Sequence, residues 1–223
     1  MEFLSIILVL TSVVIGGTLK RKLSYYGRTP LESGLTGAEV AQRMLQQRGL
    51  SHVRVTCVSG HLTDHYNPLT HTVNLSKEIY CGSNAASAAV AAHECGHAVQ
   101  HAEGYAFLQL RSAMVPLLTI STSLMPWVIL LGIMLVRTTI LPLAIAVVLF
   151  AFTTLFSLIT LPVEFDASKR ALYWMSHEGI VNHREYNIAK DALQWAAMTY
   201  VVAALGSLAE LVKLLRWVDR SRR

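Results

Sequence analysis

Residues 113–136 and 138–163 contain no Asp, Glu, Lys or Arg, and only Arg137 separates them. At about 1.5 Å rise per residue, a helical run of roughly 24 residues is about 36 Å long, enough to cross a bilayer core of about 30 Å with some tilt. A junction at Arg137-Thr138-Thr139 is too short for anything but an antiparallel hairpin. Chain that enters the membrane near Arg111 therefore leaves it near Pro162, on the side it came from.

The rest of the chain has to serve a second environment. Of 223 residues, 53% are hydrophobic and 15% charged, against roughly 25% charged in an ordinary soluble domain. Residues 3–19 form a further uncharged run, followed by Lys20-Arg21-Lys22. Charge placed after the apolar core instead of before it argues for an uncleaved first span with its C-terminal end in the cytoplasm. The net charge of +5 resides in this cluster and in Arg216, Arg220, Arg222 and Arg223, which flank apolar runs and mark membrane topology, not nucleic-acid binding. Residues 193–215 are a weaker candidate span, because Gly206, Ser207, Glu210 and Lys213 interrupt them. Cys57, Cys81 and Cys95 are an odd set without CxxC spacing and read as reduced, fairly buried thiols.

Between Ser24 and Arg111 the pattern is that of a folded polar domain. Thr36-Gly37-Ala38-Glu39 has capping-box spacing, Val40, Ala41, Met44 and Leu45 repeat at helical period, and Gly49 supplies a stop, which together predict a helix over 37–48. Val53–Val58 alternates like a strand, and Thr70–Leu75 after the Asn67-Pro68 turn completes a small strand pair. Asn84–His101 is Ala-rich and follows Gly82-Ser83, predicting a helix capped by Ser83 or Asn84.

That helix carries His93-Glu94-Cys95-Gly96-His97, an HExxH motif. Side chains four apart share one helical face, so both imidazoles can ligate one ion while Glu94 works on its water. A catalytic zinc needs a third protein ligand. His101 lies about 12 Å along the axis from His93 and is better placed as an outer-shell or surface group. Gln100 stands where the metzincin pattern requires glycine, which excludes that pattern. The hairpin returns the chain so that Glu164, just after Leu161-Pro162-Val163, can emerge beside the two histidines. A carboxylate directly after a long uncharged span needs a partner, and a metal supplies one. Pairing of Glu164 with Lys169 or Arg170 is the competing reading, and Asp166 is an alternative ligand.

His93–Gln100, Leu62–Pro68, Val73–Ser76 and Thr160–Ser168 together resemble the YugP-type neutral zinc metallopeptidases of bacterial membranes, and the likeness runs over nearly the whole chain. The resemblance implies a mainly α, multi-pass protein of the bacterial inner membrane that holds one zinc ion and hydrolyses peptide bonds. Residues 1–20 would be the first span, 21–112 a zincin-like catalytic domain of helices plus a small sheet, and 113–162 the hairpin. Residues 163–192 would carry the third ligand, and 193–223 the C-terminal hydrophobic helix and basic tail. More distantly the arrangement is similar to HtpX-type and prenyl-protein endopeptidases, whose EFxAD-like segment supplies a glutamate ligand that corresponds to Glu164. Ser168 stands where those relatives place an aspartate that steadies a zinc-bound histidine.

The expected chemistry is a zinc site of His93, His97 and Glu164 with Glu94 as general base. His65, Tyr66 or Asn74 would complete oxyanion stabilisation, while Asp166, Ser168 and His101 would lie around the ligands. Thr70–Leu75, if an edge strand, could hold an extended peptide. The expected partners are a peptide, unfolded or membrane-protein substrate and the bilayer, with the active site facing the cytoplasm. A non-catalytic membrane zinc protein acting as a scaffold, and zinc-dependent hydrolysis of something other than a peptide, are the alternatives.

Overall fold

The computed structural model describes residues 2–135 and 138–221; Arg137, Arg222 and Arg223 lie outside the described residues. The protein is mainly α-helical with one small mixed sheet. Its order is α1 (Glu2–Tyr26), α2 (Gly37–Gln47), β1 (Arg54–Val58), β2 (His65–Asn67), β3 (Thr72–Ser76), α3 (Lys77–Cys81), α4 (Ala85–Ala102), α5 (Ala106–Leu135), α6 (Leu141–His177) and α7 (His183–Ser221).

The chain divides into two compact units. One comprises Met1–Val14, Leu110–Leu161 and Thr199–Arg223, and the other Ile15–Gln109 and Pro162–Met198. Among the described residues, α5, α6 and the His183–Asp219 stretch of α7 are long and apolar enough to cross a membrane. The 3–19 run lies on α1, which is one unbroken helix. Inside the apolar unit, a Cβ on Gly132 would fall 2.6 Å from the Leu143 side chain, so the bare glycine permits close packing there. Thr154 Oγ1 donates to Phe150 O at 2.9 Å, within its own helix, and to Ser207 O at 3.3 Å.

The polar unit starts from local signals that act as expected. Thr36 Oγ1 accepts from Glu39 N at 3.3 Å, and Glu39 Oε2 accepts from Thr36 N at 2.7 Å, closing the capping box of α2. The two backbone and hydroxyl donors of Thr36 hold the Glu39 carboxyl below its usual range. Gly49 ends the helix with φ +72°. Asn84, not Ser83, caps α4, accepting from Ser87 N at 2.8 Å. A second capping box opens α7, where Asn182 Oδ1 accepts from Glu185 N and Glu185 Oε2 from Asn182 N. Val40, Met44 and Leu45 of α2 meet Val73 and Leu75 of β3, Ala88, Ala91 and Ala92 of α4, and Trp174 and Leu193 in one buried core. The small side chains of α4 let its neighbours approach closely, which puts the helix at the centre of the unit.

Three expectations change. The strand pair is a three-stranded sheet in the order β1-β3-β2, with β1 parallel and β2 antiparallel to β3. The Thr70–Leu75 run is therefore central, and the short strand His65–Asn67 forms an edge. The cysteines are not uniformly buried: Cys57 and Cys81 are exposed and Cys95 is buried. Helix α6 does not stop at Pro162 but runs through it to His177, so the apolar run and the third-ligand segment are one helix.

Candidate metal centre

Helix α4 presents His93 and His97 one turn apart, with ring centroids 4.8 Å apart and planes at 84°. Helix α6 brings Glu164 to them from the other end of the sequence gap. Glu164 Oε2 lies 3.1 Å from His93 Nε2 and 3.6 Å from His97 Nε2, and one ligand atom from each of the three residues lies within 4.8 Å of the others. Two ligands about 2.1 Å from a tetrahedral zinc are about 3.4 Å apart, so the donor set and its spacing fit that ion. Glu164 is 3% exposed, a burial that a carboxylate sustains only with charged or metal partners.

The outward nitrogens are also engaged. His93 Nδ1 is 3.1 Å from Ser168 Oγ, and His97 Nδ1 is 3.0 Å from Gln100 Oε1. The hydroxyl of Ser168 thus lies against the ring nitrogen of His93 that faces away from Glu164. Such outer contacts orient ligand imidazoles and fix their tautomers.

Close approach of α4 and α6 depends on Gly96. A Cβ there would meet Ala167 O at 2.7 Å and Ala167 Cα at 3.1 Å, backbone atoms that cannot rotate aside. Gly96→Ala should therefore cost about 1–3 kcal/mol through overpacking, and it should weaken zinc binding by more than stability alone predicts, because α4 and α6 carry different members of the candidate donor group. Thermal melting with and without zinc checks this; equal zinc-induced stabilisation in both proteins would refute it.

Glu94 is 7% exposed, and its Oε2 accepts from Tyr66 N at 3.0 Å. Tyr66 thus reaches the site through its backbone, while its hydroxyl lies 2.9 Å from His101 Nδ1. His101 stacks on His71 at 5.5 Å and stands apart from the ligand cluster. His65 Nδ1 lies 2.8 Å from Thr63 O and Nε2 3.1 Å from Asn74 Nδ2, while Asn74 Oδ1 accepts from Thr56 Oγ1; sheet and turn contacts engage both side chains. Asp166 accepts from Gln100 Nε2 at 2.8 Å and from Arg170 Nε at 2.5 Å, and Arg170 Nη1 reaches Glu103 Oε2 at 2.6 Å. Arg170 therefore pairs with Asp166 and Glu103 and not with Glu164. Cys95, inside the motif, points the other way: its Sγ lies 3.6 Å from Ala41 O, and burial, aided by the Glu94 charge, pushes its thiol well above the usual range.

Burial works against protonation of His97, but the Glu164 and Glu94 carboxylates and the Gln100 amide oxygen outweigh it and raise its pKa above the ordinary 6.5. A metal ion held at His97 Nε2 would compete there with the proton, so zinc binding should release a proton. Apparent zinc affinity should then fall as pH drops through this raised pKa, starting above 6.5. Chelator-competition titrations across that range test the point, and a flat affinity would contradict it.

A family model described as "Putative neutral zinc metallopeptidase" matches residues 1–219. The chain belongs to that family. Among relatives of this family member, a Bacillus subtilis (strain 168) protein described as "Putative membrane protease YugP" is 41% identical over 197 residues, which cover 88% of this chain and 87% of the relative. No solved structure matches the chain. The resemblance seen in the motifs is borne out. Two residues of this family member that sequence reasoning did not assign to the centre, Gly96 and Gln100, turn out to shape it. The visible signal was their position within or one turn beyond HExxH, on the helix that faces α6.

Proposed function

We propose that the protein is an integral-membrane zinc endopeptidase with His93, His97 and Glu164 as ligands and Glu94 as general base. One observation carries this reading. Two imidazoles and a buried carboxylate converge at zinc spacing, next to a second carboxylate that a backbone N–H holds by one oxygen. Among the described residues no fourth His, Cys, Asp or Glu joins the group, which supports an open position for water over a closed structural site.

A zinc ion bound there would acidify water and polarise a scissile carbonyl. Glu94 does the proton work: Tyr66 N–H anchors Oε2, leaving Oε1 to take the proton of the attacking water and pass it to the departing amine nitrogen. His93 and His97 are aimed by Ser168 and Gln100, so little reorganisation is needed. The substrate class is an unfolded or membrane-protein segment. Lys20-Arg21-Lys22 after the first apolar run supports a cytoplasmic active site in the bacterial inner membrane.

The test is purification in detergent with metal analysis, then cleavage of an unfolded protein before chelation, after chelation and after zinc is restored. Activity that follows zinc supports the proposal. A preparation that binds zinc stoichiometrically but cleaves no peptide under any condition would instead favour the scaffold reading.

A further inference from the structure

Gln100 is fully buried, and a buried amide must place both its donor and its acceptor. Its Nε2 donates to Val163 O at 2.9 Å and to Asp166 Oδ2 at 2.8 Å. Both partners are acceptors only, so the –NH2 group has to face them. That orientation turns Oε1 towards His97 Nδ1 at 3.0 Å, and a carbonyl oxygen can only accept. His97 must therefore carry its proton on Nδ1, which leaves the Nε2 lone pair pointing at the ligand cluster.

We propose that Gln100 is a positioning residue of this centre, fixing the tautomer of His97 and tying the two ligand-bearing helices together. The inference rests on reading His93, His97 and Glu164 as metal ligands. Val163 directly precedes Glu164, so one side chain on α4 grips the α6 backbone at the third ligand while it aims the second. The chain of contacts continues from Asp166 to Arg170 and back to Glu103 at the end of α4, closing a loop between the helices. The charge arrangement is also economical. A carboxylate in direct contact with His97 would add a third buried negative charge beside Glu94 and Glu164. The neutral amide gives the same orientation, with the Asp166 charge one contact further out and neutralised by Arg170.

The test reads metal affinity and tautomer, not turnover. In zinc-free protein labelled with 15N-histidine, at a pH where the ring is neutral, long-range 1H–15N correlations should show His97 protonated on Nδ1. An Nε2–H tautomer in the parent overturns the proposal without any variant. Gln100→Met keeps the side-chain length and removes every hydrogen bond; it should lower zinc affinity by about 10- to 100-fold and release the tautomer. Gln100→Glu keeps an acceptor for His97 but loses the donors to Val163 and Asp166, so it should retain the Nδ1–H signal while zinc affinity stays below the parent's. Parent-like zinc affinity in Gln100→Met overturns the proposal. A parent that binds no zinc at all would defeat the metal-site reading instead, and the tautomer signal would still decide what Gln100 does.

Discussion

Glu94→Gln should leave zinc bound and cut peptide turnover by about 10²- to 10⁴-fold, the usual contribution of a positioned general base. The carboxamide matches the carboxylate in shape, and its oxygen can still accept from Tyr66 N, which holds Glu94 Oε2 at 3.0 Å in the parent. The side chain therefore stays in place and loses only its basicity. Glu94 is not part of the converging donor group, so metal content should match the parent's. The measurement is zinc stoichiometry beside cleavage of an unfolded protein by both purified forms. Parent-level cleavage by the glutamine variant would move the base elsewhere, and loss of zinc would make Glu94 a structural residue.

Glu164→Ala should weaken zinc binding by more than the roughly 10- to 100-fold that loss of an outer-shell contact costs, because it removes a donor itself. Only two imidazoles would remain at a site that requires three protein ligands to hold a catalytic ion. Glu164 Oε2 also sits 3.1 Å from His93 Nε2, so its loss leaves that ring held only through Nδ1 by Ser168. Glu164→Asp keeps the charge but draws it back by one methylene and should fall between parent and alanine. Chelator competition on the purified proteins orders the three. Equal affinity across the series would assign the third ligand to another residue, and Asp166, already held by Gln100 and Arg170, would be the first to examine.

What could be read in the chain divides by the range of the interaction concerned. Helix α2 is signalled within four residues by Thr36 and Glu39, and α4 by Asn84 and the HExxH spacing, because capping and helical facing are local. Glu164 was reachable through topology, since an uncharged hairpin has to return its end to the starting side. Gly96 and Gln100 could not be assigned, because their partners Ala167, Val163 and Asp166 lie across the whole hairpin in sequence. Strand β2, three residues long, is too short to show an alternating period. The central place of β3 is set by its parallel pairing with β1, and the intervening β2 obscures that pairing in the sequence. The apolar pattern set the end of the hairpin at 162 and opened a separate third-ligand segment at 163, yet α6 continues through both.

The burial of Cys95 bears on which ion the cell puts into this site. A thiolate one residue from Glu94 and two from each histidine would soften the donor set and draw in thiophilic metals. With that sulfur locked against Ala41 in the core and kept protonated, the remaining donors are two nitrogens and one oxygen, a borderline set that cobalt(II) or nickel(II) can also satisfy. Discrimination among these ions then falls to coordination geometry and to the supply of metal in the compartment. The same withdrawal keeps the nearest oxidisable atom in the motif out of reach of oxidants.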